Sequence, residues 1–143
     1  MNYNLKYSIL LTGGNGYIGN HLYNSLLNKY KNLYNIIIYD LSSNNDLCNY
    51  NNLDLLFRNN SIIYVIHLAS FKNIDESINN PLKYYYNNII GTINLLKIME
   101  KYNSYNIIFS SSASIYGNQK CPIVEDSLSN NLDISPYSKT KLY

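Results

Sequence analysis

Along this chain, short apolar runs alternate with stretches where apolar residues return every three or four positions. The first run, Tyr7 to Thr12, is closed by Gly13-Gly14 and predicts a buried strand. Ile18, Leu22 and Leu26 recur at four-residue spacing, which predicts a helix from Gly16 to Tyr30. Asn35 to Tyr39 is β-branched, ends at Asp40 and predicts a second strand, while Leu53, Leu56 and Phe57 mark a short helix. Ser61 to Ala69 is apolar almost throughout, as strands covered on both faces are. Leu82, Tyr86, Ile89, Ile93 and Leu96 fall on one stripe of a long helix that Pro81 can open. Asn106 to Ser111 predicts a fourth strand, and after a loop containing Pro122 a last helix begins near Ser135-Pro136.

Strands that alternate with helices pair in parallel, so the pattern predicts an α/β fold with a doubly wound parallel sheet. One segment departs from that plan. Between Asp40 and the helix near Leu53 lie only about a dozen residues, and a parallel crossover needs about that many for its connection alone. One strand–helix unit after the second strand is therefore expected to be shortened or absent.

Composition bounds the picture further. A chain of 143 residues holds one domain with a real core, and 46% hydrophobic against 14% charged residues suits a folded protein. A net charge of +2 gives no footing for a nucleic-acid or membrane-surface partner. Cys48 and Cys121 stand apart, without a C-x-x-C spacing or a ligand cluster, and read as free thiols rather than metal ligands. The apolar run at the N-terminus is too short for a signal peptide, and no stretch approaches the roughly 20 apolar residues of a membrane span, so the cytoplasm is the expected compartment. The 17 tyrosines and the abundant Asn, Ile and Lys reflect a compositional bias, so Tyr84-Tyr85-Tyr86 is poor evidence for an aromatic platform.

Candidate chemistry gathers at two places. Gly13-Gly14-Asn15-Gly16-Tyr17-Ile18-Gly19 is a G-x-x-G-x-x-G loop between a strand and a helix. Such a loop needs a tight turn at Gly13, close approach of backbone to a pyrophosphate at Gly16, and tight helix packing at Gly19, with the helix N-terminus facing the anion. Asp40 closes the second strand about twenty positions beyond Gly19, where an acidic residue accepts hydrogen bonds from an adenosine ribose. A carboxylate there repels a 2′-phosphate, which favours NAD over NADP.

The second place is Tyr137-Ser138-Lys139-Thr140-Lys141, a Y-x-x-x-K spacing at the start of the last helix. Residues four apart share a helix face, about 6 Å apart along the axis. An ammonium beside a phenol favours the phenolate, pulling the tyrosine below its usual value near 10 and making it a base for a sugar hydroxyl. Ser110-Ser111-Ser112 ends the fourth strand, so a hydroxyl there faces the crevice where such sheets bind ligands. An ordinary serine-rich loop is the plainer reading of that tripeptide when Tyr137 and Lys141 are set aside.

With these motifs the chain resembles the extended short-chain dehydrogenases/reductases, and among them the UDP-glucose 4-epimerases (UDP-galactose 4-epimerases) most. The resemblance runs from TGGNGYIGNH through VIHLASFKNIDESINNPLKYYYNNIIGTINLL and FSSSASIYG to SPYSKTK. It implies a Rossmann-like NAD-binding domain over 1–143, with Gly13, Gly16, Tyr17, Ile18 and Gly19 on the pyrophosphate and Asp40 on the adenosine ribose. Asp46 and Leu47 match a pair that touches adenine. Leu68, Ala69, Ser70 and Lys72 would line the cofactor with Asn88 and Ser110 beside them. Ser112 and Tyr137 would be the catalytic pair, and Lys141 would hold the nicotinamide ribose. The implied chemistry belongs to galactose metabolism: interconversion of UDP-glucose and UDP-galactose by transient oxidation at C4 of the sugar, with a possible homodimer as the assembly.

Three departures from that pattern stand out. Ser70 replaces a usual glycine or alanine, the stretch between Asp40 and Asp46 is five residues, and the chain ends two residues after Lys141. The resemblance therefore implies an incomplete domain without the C-terminal substrate domain, inactive alone. The Tyr137 helix is expected to fray, since isolated helices below roughly 12 residues are marginal. Another NAD-dependent epimerase or dehydratase, or a degenerate NAD-binding module, are the alternatives. His67, within an apolar run, reads as a hydrogen-bonded core histidine, and His21 needs no catalytic role.

Overall fold

Four strands, β1 (Ser8–Thr12), β2 (Asn35–Tyr39), β3 (Ile62–His67) and β4 (Asn106–Phe109), pair in parallel in the order β2-β1-β3-β4. The molecule is seen as a computed structural model that describes residues 6–119, 121–127 and 134–143. The strands lie within the predicted runs, and β2 coincides with its run. Register sets the two faces. Leu10 lies opposite Ile37 and Val65, and Val65 opposite Ile107, so these side chains share one face. Helix α2 (Tyr50–Asn59) adds Leu53 and Phe57 to that face, and a second helix adds Leu95, Ile98 and Met99; together they close the core.

The other face carries α1 (Tyr17–Tyr30), which packs over β1 and β2 and buries Ile9 and Leu11. Beyond its reach, Tyr64 on β3 and Ile108 on β4 stay 42% and 66% exposed. Between β2 and α2 the chain makes only a 3-10 turn, Leu41–Ser43, and contributes no strand. The expected shortening is thus real: β2 is an edge strand, and the fold is the predicted Rossmann-like α/β arrangement less one strand–helix unit.

The long helix expected to carry the stripe from Leu82 to Leu96 is not uniform. The stripe lies on a helical run made of α4 (Pro81–Tyr84), a π-helical turn (Tyr85–Ile90) and α5 (Gly91–Lys101), preceded by a short α3 (Ile74–Asn79) that the periodicity did not reveal. Yet Leu82 is 77% and Tyr86 60% exposed, while the buried side is Tyr84, Asn88, Gly91, Leu95, Ile98 and Met99. The run is apolar on two sides, and the π turn, with its i→i+5 bonding, changes the angular position of everything that follows. Gly91 sits in the contact because a Cβ there would come within 3.0 Å of the Leu47 side chain. The signal that marks α3 is local: the Asn73 side chain accepts the Glu76 N–H at 2.9 Å, capping the helix.

The tightest approach in the fold is that of α1 onto the turn after β1. A Cβ on Gly19 would stand 2.3 Å from the Gly13 carbonyl oxygen and 2.7 Å from Gly14 Cα, whereas one on Gly16 meets only that oxygen, at 3.3 Å. Gly19→Ala is therefore expected to destabilise the chain by about 1–3 kcal/mol. Gly16→Ala should stay within about 1 kcal/mol of the parent, and urea unfolding monitored by circular dichroism checks both.

Candidate functional site

A cleft of about 530 Å³ opens along the carboxyl ends of the strands. Its first wall is the glycine loop. Gly13, with φ of +70°, takes the left-handed conformation that glycine tolerates, and its N–H donates to the Tyr39 carbonyl at 3.0 Å. A Cβ at Gly13 would lie 2.7 Å from the Ala69 nitrogen, so the loop touches the end of β3. Gly16 caps α1 without any side-chain bond, and no acidic residue occupies the first turn. The free N–H groups of that turn thus face the cleft unneutralised.

Asp40 stands at the end of β2 on the same wall. Its carboxylate accepts the Asn15 N–H at 3.0 Å, the Ser42 N–H at 3.0 Å and the Ser42 hydroxyl at 2.7 Å. Burial alone would raise its pKa, but the bonds from Ser42 and Asn15 outweigh that and hold the carboxyl below its ordinary value. The Asn15 amide also reaches Ser42 and Ser43 hydroxyls at 2.8 and 3.0 Å, tying the glycine loop to the turn after β2. Tyr39 donates to the Asp46 carbonyl at 3.1 Å and its phenol is pushed up to about 12, by burial first and then by the Asp46 charge.

The opposite wall belongs to α6 (Pro136–Leu142). Ser135 caps it by accepting the Ser138 N–H at 3.1 Å, and Pro136 opens the first turn. The helix has only seven residues, and contacts from three sides hold it. The Lys141 ammonium donates to the Ser110 carbonyl at 2.9 Å and lies over the Phe109 ring, 4.7 Å from its centroid. The Ser111 hydroxyl donates to the Lys141 carbonyl at 3.1 Å. The Asn88 amide donates to the Thr140 hydroxyl at 2.9 Å, and Thr140 in turn donates to the Tyr137 carbonyl at 2.7 Å. Burial draws the Lys141 ammonium down to about 8.

The cleft brings together nearly every residue singled out from the sequence. Gly13, Gly16, Tyr17, Ile18, Gly19, Asp40, Asp46, Leu47, Leu68, Ala69, Ser70, Lys72, Ser110, Tyr137 and Lys141 all line it. Two do not. Asn88 is buried behind the wall, where its side chain takes the Phe71 N–H at 2.9 Å and gives a proton to the Phe71 carbonyl at 3.0 Å; Asn87 lines the cleft in its place. Ser112 is off the wall as well: its hydroxyl lies 2.9 Å from that of Ser114 and accepts the Ser114 N–H, capping the turn Ala113–Tyr116. Ser111, one of the three strand-end serines, lines it as well, while sequence reasoning missed Asn15, Ser42, Asn45, Phe71 and Asn87 on the walls. The Asn87-Asn88 doublet and the serines after Asp40 are the only signals that mark them.

Comparison with known proteins places this geometry. The model of the NAD dependent epimerase/dehydratase family matches residues 9–143. A UDP-glucose 4-epimerase of Cyamopsis tetragonoloba is 40% identical over 95% of this chain and 44% of its own length, and that of Bacillus subtilis is 40% identical over 94% and 45%. Among solved structures, the UDP-glucose 4-epimerase of Bifidobacterium longum in complex with NAD+ and UDP superposes with a TM-score of 0.83 at 34% identity, covering 94% of this chain and 46% of that one. The Brucella ovis enzyme in complex with NAD gives 0.84 at 33% identity, covering 95% and 45%. The chain thus spans under half the length of these relatives.

Beneath the cleft, His67 is 1% exposed, and burial first, then the Lys141 charge, lower its pKa to about 4. The folded histidine thus stays neutral where an unfolded one, near 6.5, takes up a proton. The unfolded state binds more protons between those values, so stability falls as pH drops from 6.5 towards 4. Lowering pH from 7 to 5 is expected to cost about 2 kcal/mol, read from urea unfolding at each pH. A His67→Gln variant should lose that slope.

Proposed function

The chain belongs to the NAD dependent epimerase/dehydratase family, and we propose from that footing that it carries the NAD-binding and proton-transfer half of a UDP-glucose 4-epimerase. The observation that supports this reading is one cleft with a glycine loop and Asp40 at one end and Tyr137 with Lys141 at the other. The residues suit a dinucleotide: Gly16 leaves the space a side chain would fill, the first turn of α1 offers free N–H groups, and Asp40 keeps its charge. Gly13, Gly16, Tyr17, Ile18 and Gly19 would hold the pyrophosphate, Asp40 and Asp46 the adenosine side, and Lys141 the nicotinamide ribose. Held there, NAD would supply reversible hydride chemistry at C4 of the sugar.

This chain's own part is proton handling. Tyr137, on a buried helix, takes the proton of the 4-hydroxyl, and Lys141, one turn further along the same helix, keeps its ammonium at neutral pH. Ser110 and Ser111 line the wall beside them, with the Ser111 hydroxyl engaged on the Lys141 carbonyl. The uridine diphosphate would be gripped by the part of the relatives that this chain does not match, so the chain alone is proposed to be inactive. A homodimer is the proposed assembly. The cytoplasm, where free thiols persist, is the proposed compartment.

A second reading, a dinucleotide-binding module without catalysis, draws on the Ser112 hydroxyl, which is engaged with Ser114 off the wall. Two measurements separate the readings. In calorimetry the chain is expected to bind NAD at least about tenfold more tightly than NADP, and Asp40→Ala to narrow that gap; equal affinities for the parent chain would overturn the assignment of Asp40. Joined to the C-terminal part of the Bacillus subtilis relative, the chain is expected to form UDP-galactose from UDP-glucose. Tyr137→Phe should lower that kcat by about 10²–10⁴. A folded fusion that binds NAD and forms no product would favour the module.

A further inference from the structure

Under the floor of the cleft a line of hydrogen bonds is satisfied at every member by one arrangement of protons. The Ala69 N–H donates to the Thr12 hydroxyl at 3.3 Å, which lies 2.6 Å from His67 Nδ1. His67 Nε2 lies 2.9 Å from the Thr92 hydroxyl, which donates to the Asn88 carbonyl at 2.6 Å. A carbonyl only accepts, so the single Thr92 proton is committed to Asn88, and the Thr92 oxygen must accept from His67. Nε2 therefore carries the ring proton. In the neutral ring Nδ1 is then an acceptor, so Thr12 donates to it, and the Thr12 oxygen is left to receive Ala69. The line runs from a backbone donor to a backbone acceptor without a break.

What it joins is the point. Thr12 ends β1 just before the glycine loop, and Ala69 sits on the wall that Gly13 touches. Asn88 belongs to the π turn, whose side chain clamps Phe71 and holds Thr140 of α6. We infer that His67, as the neutral Nε2–H tautomer, is a positioning residue that fixes the strand-end wall of the cleft relative to the helix that docks Tyr137 and Lys141. The imidazole touches neither wall surface itself and is no proton donor to a ligand. Its low pKa and the adjacent Lys141 charge agree with a ring kept uncharged. The consequence for ligand binding rests on the dinucleotide reading above; the tautomer does not.

Two experiments test it on the intact chain. In nitrogen-resolved imidazole NMR spectra, His67 should show a protonated Nε2 and an unprotonated Nδ1 throughout pH 5.5–8. An Nδ1–H tautomer, or a titration with its midpoint in that range, would overturn the inference whatever the chain binds. The second experiment perturbs the line at Thr92, since His67→Phe risks the fold. Thr92→Val is expected to weaken NAD binding about tenfold while ADP, which reaches only the Asp40 and glycine-loop end, changes less than twofold. Thr92→Ser, which keeps the hydroxyl, should restore NAD affinity. Equal losses for NAD and ADP, or no loss for either, would refute the positioning role. Failure of the parent chain to bind either nucleotide would instead refute the dinucleotide reading, and the NMR result alone would then decide the tautomer.

Discussion

There is no room for one more carbon atom between Gly19 and the turn at Gly13-Gly14, and the rest of the molecule is arranged around that closeness. Because α1 lies directly on the strand end, its uncapped first turn points into the cleft instead of along the sheet face. The same contact brings Gly13 against Ala69, so the ends of β1 and β3 meet as one wall. Asn15, carried on the loop, then reaches Asp40, Ser42 and Ser43 and binds the third strand end into that wall.

The far wall has a different origin. A seven-residue helix has too few internal bonds to hold its own shape. α6 is held instead by groups from elsewhere: the carbonyl of Ser110, the hydroxyl of Ser111 and the amide of Asn88. Each comes from a segment that also touches the first wall or the sheet. The spacing between the two ends of the cleft is therefore set by these polar bonds together with the packing of α6 on α3, α4 and the π turn. Such bonds are directional, and a buried polar group left without its partner is costly, so they specify one geometry.

The shortened connection after β2 has a structural meaning too. With only the turn Leu41–Ser43 before α2, the sheet ends at β2, and Asp40 opens to solvent on one side. The hydroxyls of Ser42 and Ser43 and the Asn15 amide gather there and keep the carboxylate hydrogen-bonded at this bare edge.

Much of this was legible in the residues themselves. Continuous apolar runs located the four described strands, apolar residues three and four apart located α1 and α2, and Ser135-Pro136 located the start of α6. The loop Gly13 to Gly19, Asp40 and the Tyr137/Lys141 pair stood out because a tight turn demands glycine, an acidic residue closes the second strand and a Y-x-x-x-K spacing puts both side chains on one helix face, and all of them line the cleft. Facing was not legible. The stripe Leu82 to Leu96 is as periodic as a buried one, and only the π turn at Tyr85–Ile90 and the packing of Gly91 on Leu47 decide that it points outward. Nor could spacing say that Asn87 would line the cleft while Asn88 turned inward to Thr140, or that the Ser112 hydroxyl would close on Ser114. The sequence by itself determined the strands, most of the helices and the residue types that stand at the cleft, because those follow from local periodicity and residue type. The tertiary structure decided which neighbour of a pair faces the cleft and how α6 and His67 are held, because those depend on partners distant in the chain that only folding brings within hydrogen-bond reach.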